Sequence, residues 1–357
     1  MRIKTVITVF ATVFGASALG FCQGTPQDTT SNQVTREAKS EALKQFIKDF
    51  KKDYVFPDLA EKVSAMLQKH LDQNDYDSIQ TGPEFAKTVA NQIHELCPDA
   101  HLRFRYTSKI LPIRKADNVP TAEEIKARQH VVNTLNGGYE RVERLNGNIG
   151  YLEVRGFPDA NLAKGLSEAS MNFLANTDAL ILDLRRNGGG DPEAVRILLS
   201  YFFDKRTHLN DLYFREGNQT TEFWTSPKVK GAKYLNKDIY VLTSERTGSG
   251  AEECAYDLQC LHRATIIGSR TWGGANPGGD YRLSDHFAAF IPDGRAINPY
   301  TKTNWEGIGV IPDVKVAPAD ALREAQKLAL QKLITTASAT DKERYEQAIS
   351  ELSKNSN

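Results

Sequence analysis

The chain carries no excess of charge of either sign: 45 Lys and Arg balance 45 Asp and Glu in 357 residues, and no polybasic block interrupts them. Binding to a phosphate backbone depends on clustered positive charge, so no nucleic-acid partner is expected. Internal repeats and low-complexity tracts are missing. With 40% hydrophobic and 25% charged residues, disordered and collagen-like classes are excluded as well. Cysteine is scarce, four in all. His94, Cys97 and His101 lack a fourth ligand and a closed zinc spacing, so no metal is expected there.

Long apolar runs are confined to the amino terminus. Arg2 and Lys4 precede an uncharged stretch, residues 5–22, that ends in small residues and gives way to polar sequence. Such a pattern at the start of a chain predicts a cleaved secretory signal over residues 1–24, with an uncleaved anchor as the alternative. The protein would then be secreted or periplasmic, without stable membrane insertion after cleavage. Phe21 stands where a lipoprotein signal carries a small residue, which argues against lipidation at Cys22. Cleavage would leave Cys97, Cys254 and Cys260, an odd number.

Residues 34–100 read as a small helical bundle. Leu43, Phe46, Ile47 and Phe50 recur at helical spacing, as do Val63, Met66, Leu67 and Leu71, then Phe85, Val89, Ile93 and Leu96. Pro57 and the Thr-Gly-Pro at 81–83 punctuate them. From residue 149 short apolar runs (149–154, 179–184, 239–243, 265–267) alternate with helical stretches, which predicts parallel crossover units and an α/β core over 101–335. A helix and tail over 336–357 close the chain.

Three segments could carry chemistry. Asp183-Leu184-Arg185-Arg186-Asn187-Gly188-Gly189-Gly190 follows a buried strand, and its glycines leave backbone N–H groups uncovered, as an anion or oxyanion cradle requires. It matches neither the G-x-G-x-x-G fingerprint nor a Gly-Lys-Ser/Thr phosphate loop, and no cofactor is expected. Thr247-Gly248-Ser249-Gly250-Ala251-Glu252-Glu253 also follows a strand and opens a helix. Ser249 there is either a nucleophile beside the helix's N–H groups or a cap completed by Glu252. His101, in Pro98-Asp99-Ala100-His101, is a general-base candidate with little local context.

These segments, with IGYLEVRGF at 149–157, GSRTWGGANPGG at 268–279 and NWEGIGVIPDV at 304–314, resemble the tail-specific, or C-terminal processing, serine peptidases. The likeness covers about residues 36–320. It is nearest the branch of the interphotoreceptor retinoid-binding protein repeats and the tricorn protease core. It implies a crotonase/ClpP-like α/β core preceded by the helical bundle. It also implies Ser249 as nucleophile, His101 as general base, Glu306 as acidic member, and an oxyanion hole from the N–H groups of Gly250 and of Gly188 or Gly189. Glu252 and Thr271 match supporting positions.

Two departures stand out. The processing branch's lysine base falls at Gly274, so a Ser–Lys dyad is not expected, and Lys302, the nearest lysine to the acidic block, reads as a solvated loop residue. Tricorn-like enzymes carry a serine before the histidine where this chain has Ala100, so either Glu306 or Asp99 could orient the imidazole. Only 47 residues separate His101 from Ile149, too few for an inserted peptide-binding domain of about 80–100 residues. Trp272 and Trp305 either wall the cleft or pack. The resulting expectation is a secreted serine peptidase acting on peptides or proteins, its activity rising through about pH 6–7 as an ordinary histidine loses its proton. The alternative is a carrier of apolar ligands on the same fold. Oligomeric state is not legible.

Overall fold

In the computed structural model, which describes residues 32–113 and 121–354, the amino-terminal region begins with helices α1 (Arg36–Asp53), α2 (Pro57–Asp72) and α3 (Gly82–Leu96). The expected signal over 1–24, with Cys22, lies outside the described residues. Thr35 and Thr81 open α1 and α3 by accepting the N–H groups of Ala38 and Glu84 on their hydroxyls, and Pro57 takes the first position of α2. Strand β1 (Arg103–Tyr106), helix α4 (Ala122–Thr134), strands β2 (Tyr139–Leu145) and β3 (Ile149–Val154), helix α5 (Ala160–Leu174), strand β4 (Ala179–Asp183) and helix α6 (Pro192–Leu199) follow. The chain continues through β5 (His208–Phe214), β6 (Gln219–Trp224), β7 (Asp238–Thr243), α7 (Gly250–Cys260) and β8 (Thr265–Gly268). It ends with β9 (Gly278–Arg282), β10 (Phe287–Pro292), β11 (Gly294–Ile297), β12 (Val314–Lys315), α8 (Ala321–Ile334) and α9 (Ala339–Lys354).

The chain divides into two units. Among the described residues the first takes 32–113, 213–220 and 276–295, and the second takes the rest. In the first unit β1, β10 and β9 form an antiparallel sheet in that order, with Arg103 opposite Phe290 and Tyr106 opposite Phe287. The apolar stripes of α1–α3 bury against one face of it: Phe46, Phe50 and Phe85 share a core with Phe104, Phe287, Ala289 and Ile291. The helices expected over 34–100 as a small bundle thus share their core with this sheet. The helices need an apolar surface larger than they offer one another, and β9 and β10, drawn from what the sequence assigns to the core, supply it.

The second unit is built on a six-stranded sheet ordered β12-β8-β7-β4-β3-β2, parallel except where β2 meets β3. Strand β4 is buried along its whole length, as a central parallel strand covered on both faces must be. Ile149, Tyr151, Ile181, Tyr240, Leu242 and Ile267 face α8 and α9, whose Ala325, Leu330 and Tyr345 pack on them. The tail expected over 336–357 is thus, as far as it is described, part of this core. The alternating residues Leu152, Leu180, Leu182 and Val241 are also fully buried, at about 2 kcal/mol each, toward the other face. Because β4 and β7 are parallel neighbours, the loops leaving their carboxyl ends lie side by side, the usual location for sites in such sheets.

No helix among the described residues is long and apolar enough to cross a membrane. Cys97, Cys254 and Cys260 form no disulfide with one another.

Candidate active site

The loops after β4 and β7 are fastened to each other through main-chain and hydroxyl bonds. Thr247 Oγ1 donates to the Leu184 carbonyl (2.8 Å), Ser244 Oγ to the Arg185 carbonyl (2.6 Å), and the Gly248 N–H to the Asn187 carbonyl (3.0 Å). Asp183 anchors the base of the glycine loop, accepting from Tyr151 Oη (2.7 Å) and from the Arg185 N–H (3.0 Å). Gly189 then comes so close to the second loop that a Cβ there would lie 2.8 Å from the Gly248 carbonyl, the Gly250 nitrogen and Ser249 Cβ. Its φ of 107° also suits only glycine.

Ser249 sits where β7's loop becomes α7, with φ 52° and ψ −122°. Such a backbone costs roughly 1–3 kcal/mol in a residue with a side chain. The helix cap comes from the opposite direction. Glu252, fully buried, accepts the Ser249 N–H on its carboxylate at 2.8 Å. The same carboxylate accepts Thr271 Oγ1 (2.6 Å) and the N–H groups of Gly273 (2.5 Å) and Gly274 (2.9 Å). Burial raises its pKa to about 7, against the pull of these four donors. Thr271 Oγ1 in turn accepts the Val310 N–H (2.6 Å). Glu252 and Thr271 therefore tie the 271–274 loop to the residue that opens α7.

Two backbone donors beside Ser249 have no partner among the described residues, those of Gly188 and Gly250. The N–H of Gly189 is not one of them, because Asn187 Oδ1 accepts it at 2.8 Å. Of the two glycines expected to contribute, Gly188 alone has its donor available, with open space beside it. Asn187, within the glycine-rich segment, is given no role by the sequence alone. It orders that segment by holding Gly189 with its side chain and Gly248 with its carbonyl, and nothing short of the folded loop reveals this.

Glu306 belongs to the same unit. Its Oε2 accepts the Ala275 N–H (2.5 Å), and its own N–H donates to Asn304 (2.9 Å). Trp305 is buried, with Nε1 donating to the Gly274 carbonyl (2.9 Å), which makes it a packing residue. Trp272 is 38% exposed and lies over Gly248, its Cε3 3.1 Å from where a Cβ would stand.

Asp99 and His101 belong to the first unit. Asp99 is buried and accepts the His101 backbone N–H (3.0 Å), Tyr54 Oη (3.1 Å) and Asn276 Nδ2 (2.9 Å). It thus orders the histidine through the main chain. Asn276 and Tyr54, which sequence reasoning missed, hold Asp99. Cys97 Sγ lies 3.0 Å from Tyr54 Oη, and a His94 ring nitrogen lies 2.9 Å from the Leu102 carbonyl. His101 is only half-buried as a residue, yet packing around its ring, which includes Phe290 at 5.9 Å, disfavours the imidazolium. Desolvation, followed by the charge of Arg103, lowers its pKa to about 4, well below the ordinary value the sequence led us to expect.

Residues 148–316 match the family model described as peptidase family S41, and residues 33–135 match that of the N-terminal domain of Peptidase_S41 in eukaryotic IRBP. The tricorn protease of Thermoplasma volcanium is 32% identical over 134 residues, 37% of this chain and 12% of that one. A carboxyl-terminal-processing protease of Picosynechococcus is 28% identical over 177 residues, 49% of this chain and 41% of that one. This chain spans less than half the length of either relative. Among solved structures, the photosystem II D1 C-terminal processing protease shares the fold, with a TM-score of 0.52 and 16% identity over 80% of this chain and 94% of that one.

Proposed function

Because the chain belongs to peptidase family S41, we propose that it is a serine-type peptidase that hydrolyses peptide bonds, with Ser249 as nucleophile and His101 as general base. The observation that carries this reading is the setting of Ser249: a strained elbow opening a helix, with the unspent N–H groups of Gly188 and Gly250 beside it. A serine hydroxyl is too weak an acid to attack an amide unaided. In the proposed reaction His101, neutral at physiological pH, takes the hydroxyl proton as Ser249 Oγ bonds to the scissile carbonyl carbon. The carbonyl oxygen becomes an oxyanion, which Gly250 and Gly188 stabilise; such donors are worth about 3–4 kcal/mol each in other serine enzymes. His101 then gives its proton to the departing amine, and water hydrolyses the acyl-enzyme by the same steps. Glu306 is proposed to orient the imidazole and Asp99 to fix the backbone that carries it. The substrates are peptides or proteins, met outside the cytoplasm if the leader expected over residues 1–24 is removed.

A fluorophosphonate probe tests the assignment. Labelling confined to Ser249, together with loss of peptide hydrolysis in Ser249→Ala at unchanged circular dichroism, is the expected result; the substitution costs at most about 1 kcal/mol at a helix cap. A protein that stays unlabelled, cleaves nothing and takes up retinol or a fatty acid would instead be a carrier.

A further inference from the structure

A cleft of about 460 Å³ in the second unit, between β5, β6 and the loop 298–302, has no part in the chemistry above. Trp224 organises it. The His208 ring stacks on the indole at 4.0 Å with an interplanar angle of 7°, and the Arg206 guanidinium carbon lies 4.0 Å from the ring centroid. Lys205 and Lys302 also line the cleft, both exposed. Among the described residues no carboxylate pairs with Lys205, Arg206 or Lys302. Asp211, the one acid in the lining, is bonded to His208 Nε2 at 2.7 Å, and Glu222, outside the lining, accepts from Trp224 Nε1.

In a chain with zero formal net charge, three unpaired cations around one cleft are a local concentration that composition does not impose. Their repulsion is relieved by an anion. A guanidinium laid against an indole keeps its in-plane donors for a planar oxyanion such as a carboxylate. The opposite wall is already ordered. Asn298 Oδ1 accepts the N–H groups of Tyr300 (3.0 Å) and Thr301 (3.2 Å), and Tyr300 Oη donates to the His208 carbonyl (3.1 Å). Asn298 Nδ2 in turn reaches Asp257 Oδ1 on α7 at 3.3 Å, so the loop is anchored to the helix that Ser249 opens.

We propose that this cleft is an exosite for a carboxylate group on a peptide, with Arg206 gripping the group and Lys205 and Lys302 supporting it. The peptide nature of the ligand rests on the peptidase reading; the anion preference does not. A contact made equally in ground and transition states changes KM without changing kcat.

The test uses Ser249→Ala protein, which cannot turn over substrate, titrated calorimetrically with three probes. These are an acetylated Ala-Ala-Glu-Glu-Ala peptide as the free acid, the same peptide as its carboxamide, and its Gln-Gln analogue. The free acid should bind at least tenfold more tightly than whichever analogue lacks the recognised group. Loss on amidation assigns the terminal carboxylate, and loss on the Gln-Gln change assigns the side chains. Adding Arg206→Gln and Lys302→Gln should erase the difference at an unchanged melting temperature, with Arg206→Lys restoring part of it. In the active protein the same substitutions should raise KM for the acidic peptide and leave kcat alone. Equal affinity for all three probes, or discrimination that survives the cleft substitutions, would overturn the proposal. Acidic binding in a protein that hydrolyses nothing would sink the peptidase reading and leave the exosite standing.

Discussion

At the scale of single residues, the site combines a backbone that costs free energy with side chains that keep it in place. The left-handed conformation of Ser249 is held by the Glu252 carboxylate, and the neighbouring loop can approach only because position 189 has no side chain. The histidine expected to act as base is displaced on the pH scale. With His101 at about 4, the imidazole is neutral across pH 5–8, so its own titration places no acid limb near 6.5 in the activity profile. Proton NMR of Ser249→Ala, with the resonance assigned by His101→Gln, should show a midpoint near pH 4; a midpoint near 6.5 would restore the profile expected from the sequence. The strand–helix setting of Ser249 and its glycines was legible because glycine clusters and a serine at such a junction are demands of the backbone. Asn187, Asn276 and Tyr54 were not, since an amide or phenol acquires its role only from the group placed opposite it.

At the scale of elements, α7 opens with Ser249 and also buries two further carboxyl groups, Glu253 and Asp257, one turn apart. Burial raises Glu253 to about 8, with the charge of Asp191 adding to the rise, and it raises Asp257 well above its usual range, with the charge of Glu253 adding to that. In the unfolded chain both would ionise near about pH 4. Between there and about pH 8 the fold therefore holds more protons than the unfolded state, and stability must fall as pH rises through that window. Melting temperatures at pH 5, 7 and 9 should decline in the wild type and decline less in Asp257→Asn; parallel slopes in the two proteins would count against a protonated pair. The alternation of β3, β4, β7 and β8 with α5–α7 was readable because these elements are buried and strongly patterned. Helix α4 was not, although Thr121 and Glu124 form a reciprocal cap, because little of it is buried and its apolar stripe is weak. Strands β5, β6 and β9–β11 escaped notice as well: β5 is interrupted by Asn210 and Asp211, β6 and β9 have no fully buried position, β11 has only four residues, and β10 is buried at nearly every position and so shows no alternation.

At the scale of the whole molecule, the change of pattern near residue 149 located the α/β core but not the division of the chain. Pattern along a sequence reports neighbours, and β9 and β10 join helices that precede them by well over a hundred residues. The leader expected over residues 1–24 belongs to this scale too. Amino-terminal sequencing of exported protein should find a start between residues 20 and 26, where apolar sequence gives way to polar; a start at Met1 would remove both the signal and the compartment assigned from it.

The sheet beneath α1–α3 bears on how the protein is made. Synthesis delivers those helices first, yet two of the three strands that cover their apolar stripes, β9 and β10, leave the ribosome only after most of the second unit has been translated. Until then the face of α1–α3 that meets Phe287, Ala289 and Ile291 lacks its sheet, and a contact of such long sequence separation forms slowly. If the leader expected over residues 1–24 directs export, this delay is an advantage, because a segment that cannot finish folding before its carboxyl-terminal partner arrives stays loose enough to be threaded through a translocation channel.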